Sequence, residues 1–239
     1  MSTDRSAHLA HRLVEQLGGR YSTELGIDID RGAAETERWA LAATLFGARI
    51  SAQTAERTYR TLAQAGLSSL ADAGAKSFDE LVALLDAGGY ARYDFRTADR
   101  LHALARALEE RHGGQIAWFS RIDDPAELEA ALDALPGWGP VTVCLFLREL
   151  RGVWPAADPP VDERALRAAN HLDLLDAFES ASPREWLRQL ADRAGIDRRD
   201  LEASLIRLSL AHGRNPAACA GGDRCVVLRA EGSIGGSSF

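Results

Sequence analysis

Several residue types are scarce in this chain, and each scarcity excludes a class of protein. Three cysteines in 239 residues are too few for a disulfide framework. The longest apolar run, residues 141–147, is far too short to span a membrane. The first sixteen residues are charged and amphipathic, and they contain no apolar core of a secretion signal. We therefore expect a protein of the reducing cytoplasm.

Lysine is almost absent, and the chain has no excess of positive charge. Lys76 is the only lysine, and 28 basic residues against 35 acidic ones leave a formal net charge of −7. That balance argues against nucleic-acid binding through bulk positive charge. It leaves open binding through a local arginine-rich face and through backbone amides, because neither needs a positive overall charge.

The apolar residues recur with helical spacing along most of the chain. They make up 46% of the composition, and no segment alternates with a period of two. Ser77 and Ser182 are predicted N-caps, each followed by a glutamate in the first turn. The fold class is therefore all-α, with ten to twelve short helices. The main predicted helices cover residues 3–17, 35–50, 53–65, 78–85, 97–111, 125–132, 141–150, 162–172, 183–194 and 197–212.

A compact turn, LPGWGPVTV at residues 135–143, is the most informative local pattern. Gly137 and Gly139 permit a tight bend and a close approach of the backbone to a ligand. Pro140 fits the first turn of the helix that follows. The free amides at that helix start can bind a phosphate oxygen without any lysine. An ordinary turn between two packed helices is the alternative interpretation.

The turn resembles the LPGVGxxT hairpin of the endonuclease III superfamily of helix-hairpin-helix (HhH-GPD) DNA glycosylases, which act in base-excision repair. Four further stretches resemble family motifs in the same order and at fitting distances. They are residues 45–49 (LLSAQ in the family), Gly89-Tyr90 with Arg96-Thr97-Ala98 (GLYxxKA), Pro160-Val161-Asp162 (VDTH) and His212-Gly213-Arg214 (HGR). Together the five stretches cover roughly residues 35–214.

The resemblance implies a two-lobed helical fold. A six-helix barrel domain ending in the hairpin would span residues 34–142. Residues 1–33 together with 143–220 would form the second lobe, and residues 221–239 a flexible tail. In such a fold the DNA crosses the cleft between the lobes with one base flipped out of the stack.

The resemblance also implies the catalytic group. Asp162 matches the aspartate that stabilises positive charge at C1′ or polarises the attacking water. It can equally be the N-cap of the helix it precedes, and the two roles are compatible. Val141 stands where bifunctional members carry a Schiff-base lysine, so lysine-dependent strand cleavage is not expected. This resembles the monofunctional alkyladenine and mismatched-adenine branches, although the chain fits neither closely.

Several residues are expected to contact DNA. The candidates on the hairpin are Gly137, Trp138, Gly139, Pro140, Val141 and Thr142. Arg49 matches the residue that fills the gap left by the flipped base, and a surface or ion-paired arginine is its alternative.

Aromatic side chains complete the candidate DNA contacts. Tyr90 lies in an aromatic and basic stretch with Tyr93 and Phe95, which can line the pocket or grip the backbone. Core packing is the alternative for Tyr93 and Phe95, and we favour it for at least one of them. Trp138 either packs beneath the turn or touches DNA.

No cofactor is expected, although many family members carry an iron–sulfur cluster on four cysteines after the HGR. Only Cys219 and Cys225 occur here, and two thiolates do not complete a four-ligand site. We predict no cluster and, for the same reason, no zinc site. Cys144 is a predicted core thiol. A monovalent cation at the hairpin backbone is compatible with the pattern.

The expected function is that of a monofunctional, monomeric DNA glycosylase, nucleoid-associated if the source is bacterial. It would hydrolyse the N-glycosidic bond of a damaged base, such as an alkylated one, in double-stranded DNA, with no membrane partner. A catalytically inactive or weakly active DNA-binding paralogue is the first alternative. An unrelated helical interaction protein is the second.

Overall fold

The fold is all-helical, as predicted. The computed structural model describes residues 3–48, 50–177, 182–213 and 219–228, and these ranges contain twelve α-helices and no β-strand. None of these helices has the length and apolar content needed to cross a bilayer. The helices are α1 (Thr3–Leu17), α2 (Tyr21–Glu24), α3 (Ala33–Phe46), α4 (Ala52–Gln64), α5 (Leu70–Ala75), α6 (Phe78–Gly88), α7 (Asp94–His112), α8 (Pro125–Asp133), α9 (Pro140–Glu149), α10 (Glu163–His171), α11 (Pro183–Ala194) and α12 (Arg198–His212).

Local capping explains where these helices begin and end. Ser77 accepts a hydrogen bond from the amide of Glu80, and the Glu80 carboxylate accepts one from the amide of Ser77. The predicted capping box is therefore confirmed. Ser182 caps α11 through the amide of Glu185, also as predicted. At the other end of α11, Gly195 adopts the left-handed conformation that terminates a helix.

The chain divides into two compact units. Residues 22–159 form one, which we call the hairpin unit, and residues 1–21 with 160–239 form the other, which we call the terminal unit. Residues 22–33 and 143–159, which the sequence interpretation assigned to the second lobe, therefore belong to the hairpin unit.

The hairpin unit is organised around a cluster of aromatic side chains. Trp39 on α3 is fully buried and donates its indole N–H to the carbonyl of Phe146 on α9, at 3.2 Å. The Phe146 ring in turn packs edge-on against Trp138 and Trp154, with ring centres 5.0 and 5.5 Å away. These contacts fix α9, and with it the turn that precedes it, to the centre of the unit.

The terminal unit packs α1 against α11 and α12, and α10 against α12. Leu9 and Leu13 face its core, and Trp186 on α11 donates its indole N–H to the carbonyl of Leu174, at 2.9 Å. Residues 221–228, predicted as the start of a flexible tail, instead form two 3₁₀ turns, and Cys225 and Leu228 are buried in this core. The rest of the predicted tail, residues 229–239, lies outside the described residues.

Candidate nucleic-acid interface

The turn before α9 has the conformation that its glycine pattern predicts. Gly137 sits at φ 79°, in the left-handed region where residues with a side chain are strained. The amide of Trp138 closes the bend by donating to the carbonyl of Leu135, at 3.1 Å. A Cβ on Gly137 would lie 3.3 Å from the side chain of Arg100 on α7, so the bend packs against that arginine.

The start of α9 leaves backbone donors available. Gly139 is the N-cap residue in an extended conformation, no side chain caps the helix there, and Pro140 occupies the first helical position. The first intrahelical bond runs from the amide of Val143 to the carbonyl of Gly139, at 3.0 Å. The amides of Val141 and Thr142 precede it and have no partner within the helix. Val141 is 67% exposed, so this helix start opens to solvent.

Trp138 packs beneath the turn. Only 5% of its surface is exposed, and its indole N–H donates to the hydroxyl of Thr44 at 3.0 Å. Of the two roles considered from the sequence, the structure favours packing, because the ring fills the space between α3 and α9. Trp138 would then support a DNA contact indirectly, by stabilising the conformation of the bend.

The end of α3 lies directly against the hairpin helix. A Cβ on Gly47 would collide with the side chain of Thr142, so the two elements approach as closely as a glycine permits. Thr142 is accordingly buried. Two stretches that resemble family motifs, residues 45–48 and the hairpin, therefore meet in the folded chain. Arg49, the predicted gap-filling residue, lies outside the described residues.

Tyr90 belongs to the core, which corrects the expectation that it contacts DNA. Its side chain is 1% exposed, and its hydroxyl donates to the carbonyl of Leu45 at 2.5 Å. Burial raises the pKa of this phenol far above its usual value. The residue joins the end of α6 to the end of α3 and brings a third family-like stretch to the same place.

Tyr93 and Phe95, the two aromatic neighbours of Tyr90, lie on the surface. The core packing that we favoured for at least one of them is therefore wrong. Tyr93 is 42% exposed, and Phe95 is 61% exposed, with one contact to the ring of Phe78 at 5.8 Å between centres. Arg92 and Arg96 beside them are exposed as well. We call these four residues, 92, 93, 95 and 96, the aromatic-basic patch. Exposed rings next to guanidinium groups are typical of surfaces on which nucleotides stack.

The aromatic-basic patch continues toward the hairpin along α7. Arg100 lies one helical turn beyond Arg96 and contacts the bend at Gly137. Arg92, Arg96 and Arg100 form no ion pair with any carboxylate in the described part of the chain. The three charges are therefore free to meet phosphates, within a protein whose total charge is negative.

Two other arginines near the hairpin are unavailable to a ligand. Arg148 and Arg151 are only 5% and 3% exposed. Arg151 pairs with Asp158 within the same unit. Neither arginine therefore adds to the positive surface formed by Arg92, Arg96 and Arg100.

Asp162 in the terminal unit is the N-cap of α10, one of the two roles inferred for it. Its carboxylate accepts a hydrogen bond from the amide of Arg164 at 2.7 Å, and its own amide donates to the carboxylate of Glu202 at 3.0 Å. Its side chain is partly exposed. Glu202 on α12 is fully buried and was not singled out from the sequence, because it lies within a run of ordinary helical residues.

The terminal unit also gathers four groups that can ligate a metal. One donor atom from each of His171, His212, Cys219 and Cys225 lies within 4.8 Å of the other three. Burial, and then the neighbouring His212, lower the pKa of His171, which favours its neutral form. Burial raises the pKa of the Cys225 thiol. The two cysteines alone did not indicate this group, because the two histidines lie at the ends of separate helices.

Comparison with known proteins adds no family assignment. No protein-family model matches the chain, and no curated protein matches it either. The functional interpretation consequently depends on the residues and their geometry.

Proposed function

We propose that this protein is a monofunctional DNA glycosylase of the helix-hairpin-helix type, which releases a damaged base from double-stranded DNA. The observation that carries the proposal is the start of α9. The amides of Val141 and Thr142 have no partner within the helix, and Val141 is exposed to solvent behind a glycine-bounded bend. The same unit presents the aromatic-basic patch and Arg100.

Binding would begin at the phosphate backbone. A phosphate oxygen accepts hydrogen bonds from the free amides, and the positive end of the helix dipole attracts its charge. The unpaired arginines on α7 add charge attraction, and the exposed rings of Tyr93 and Phe95 offer stacking surfaces. With a net charge of −7 the affinity would be modest, and because it depends on phosphate contacts it would fall as the salt concentration rises.

Base release would then need only one carboxylate and one water. The damaged nucleotide leaves the stack, the bond between C1′ and the base nitrogen breaks, and water adds to C1′. Asp162 would stabilise the positive charge that develops at C1′. Val141 at the position of the family's lysine cannot form an imine, so the product is an intact abasic strand.

Single-turnover base release tests the proposal. Duplexes that each carry one alkylated, oxidised or deaminated base are mixed with excess protein, and free base is measured by mass spectrometry. We expect release from at least one duplex by the wild type, and at least a hundredfold slower release by Asp162→Asn. Asparagine caps a helix as well as aspartate does, so this change removes the charge and keeps the fold.

Asp124→Asn is the matched control. Asp124 caps α8 in the hairpin unit through the amide of Glu127, so its substitution alters an N-cap that has no assigned catalytic role. It should release base at the wild-type rate. Equal release by Asp162→Asn and the wild type would contradict the role of Asp162, and release of no base from any duplex would contradict the enzymatic proposal.

A DNA-binding paralogue without turnover is the second candidate. Two observations favour it: the nucleophile position is a valine, and the Asp162 carboxylate already accepts an amide at its own helix start. Duplex binding together with no base release across the whole panel would select this candidate.

A further inference from the structure

The His and Cys cluster of the terminal unit is built from segments that are far apart in the chain. His171 ends α10, His212 ends α12, and Cys219 and Cys225 flank the loop that follows. Nε2 of His212 is 3.2 Å from the sulfur of Cys225. The folded chain thus brings two imidazoles and two thiols to one point.

One of these four donor atoms is left without a hydrogen bond in the described part of the chain. Nε2 of His171 is buried and has no hydrogen-bond partner among the described residues. An unsatisfied buried nitrogen destabilises the folded protein, so such atoms are uncommon unless a ligand satisfies them. The His171 ring is inclined at 68° to that of His212, with centres 4.6 Å apart, and its Nε2 forms no hydrogen bond to that ring.

One of the two thiols accepts a backbone hydrogen bond. The amide of Val226 donates to the sulfur of Cys219 at 3.3 Å. Amide donors of this kind stabilise the thiolate form that metals bind, and they orient the sulfur toward the metal.

The loop between the cysteines is shaped to cover His171. Gly221 adopts a positive φ of 66°, and a Cβ there would collide with the backbone carbonyl of His171. Asp223 within the loop pairs with Arg5 of α1. The loop is therefore held against the end of α10 by contacts that do not involve the donor atoms.

We propose that His171, His212, Cys219 and Cys225 bind one Zn²⁺ ion as a closed Cys₂His₂ site. With a Zn–S distance of about 2.3 Å and a Zn–N distance of about 2.0 Å, the donor atoms of a tetrahedral site lie roughly 3.3–3.8 Å apart. The observed separations, none above 4.8 Å, require only small side-chain adjustments.

The donor set also distinguishes zinc from iron–sulfur clusters. A four-iron cluster needs four thiolates, and this site offers two. A two-iron cluster with two histidines places them on a different iron from the cysteines, which separates His and Cys donors more widely than this cluster does. A single tetrahedral ion fits both the ligand types and their closeness.

The proposed ion has a structural role. All four positions are filled by protein, which leaves none for water or substrate. Bound zinc would join the ends of α10 and α12 to the loop and neutralise both thiolates. The inference is independent of the proposed glycosylase activity, because none of the four residues is assigned to DNA or to chemistry.

Metal content of the purified full-length protein tests the site. We expect one zinc ion per chain by mass spectrometry. After chelation and reduction, Co²⁺ should produce the visible bands of a tetrahedral ion and a thiolate charge-transfer band in the near ultraviolet. Cys225→Ser and His171→Gln should lose both signals.

Matched controls separate the site from the other cysteine and histidine positions. Cys144→Ser and His11→Gln should keep the zinc and the cobalt spectrum, because Cys144 lies in α9 of the other unit and His11 is exposed on α1. Zinc retained by Cys225→Ser or lost from Cys144→Ser would overturn the assignment. So would an iron–sulfur absorption spectrum in the native protein.

A second readout needs no variant to fold. In the wild type, zinc should protect Cys219 and Cys225 from alkylation, and a chelator should expose both, as counted by peptide mass spectrometry. Unchanged alkylation after chelation, or a disulfide between the two cysteines in protein prepared under reducing conditions, would refute the site.

Discussion

Two glycines of the hairpin have different conformations, and alanine at each position should have a different effect. Gly137 has φ 79°, where an alanine costs about 1–2 kcal/mol. Its added Cβ would also sit 3.3 Å from the Arg100 side chain, which is flexible and can yield. Gly139 is extended, and a Cβ there meets nothing within 4 Å. Gly139→Ala should therefore change stability by less than about 0.5 kcal/mol.

The two substitutions should act on different measurements. Gly137→Ala should lower the free energy of unfolding by about 1–2 kcal/mol in urea titrations, because it strains the bend. Gly139→Ala should leave stability unchanged but weaken duplex binding at least about tenfold in fluorescence anisotropy. The reason is that its methyl group stands on the open surface where the phosphate must approach the amides.

Either of two results would contradict these expectations. Wild-type affinity in Gly139→Ala would mean that the DNA backbone does not approach this helix start. Wild-type stability in Gly137→Ala would mean that the bend does not have the left-handed conformation. The pair is informative because each variant serves as the control for the other.

Three further outcomes are expected. Gly88→Ala should lose about 1–3 kcal/mol in thermal or urea unfolding, because its Cβ would come 2.6 Å from the Cα of Thr58; a neutral effect would contradict that packing. Tyr93→Ala should weaken duplex binding about tenfold with stability unchanged within about 0.5 kcal/mol, and unaltered binding would exclude stacking at that ring. Burial alone raises the pKa of Asp197, but hydrogen bonds and charge from Arg199 outweigh it and hold the pKa below its ordinary 3.8, so this carboxylate stabilises the protein above that pH. The Asp197→Asn variant should therefore be less stable than the wild type at pH 7, and this difference in unfolding free energy should disappear as the pH falls below 3.8. A difference that does not depend on pH would contradict its ionic origin.

Helices were predictable wherever local signals agreed. The bounds expected for α1 and α11 match the structure, because α1 has regularly spaced leucines and α11 has an N-cap serine, an N1 proline and a terminal glycine. The short helices α2 and α5 were not anticipated. Helices of four and six residues are too short to show a period, so their stability comes from tertiary packing.

Side-chain exposure within the site was harder to predict. Tyr90, Tyr93 and Phe95 lie within six residues, and their spacing does not reveal which ring is buried. The structure buries Tyr90 because its hydroxyl reaches the carbonyl of Leu45 at the end of α3, a tertiary contact. A charged side chain such as that of Arg148 is ordinarily exposed, but here it is buried because it lies on the buried side of α9.

The metal-ligating cluster shows the same limit. Cys219 and Cys225 lie close together in the sequence and can be recognised as a pair there, whereas His171 and His212 end two separate helices. Only the packing of α10 against α12 brings those helix ends together. A count of cysteines therefore underestimates the donors that the folded chain provides.

Affinity for a duplex that already lacks a base is the most direct test of the central claim, which is that the protein anchors a phosphate at the hairpin and draws one nucleotide out of the stack. The measurement compares a duplex containing a stable abasic-site analogue with the same duplex undamaged, at one fixed salt concentration. Removing the base removes an unstacking cost of a few kcal/mol, so the account predicts binding to the abasic duplex at least about tenfold tighter. Equal affinity for the two duplexes would contradict it.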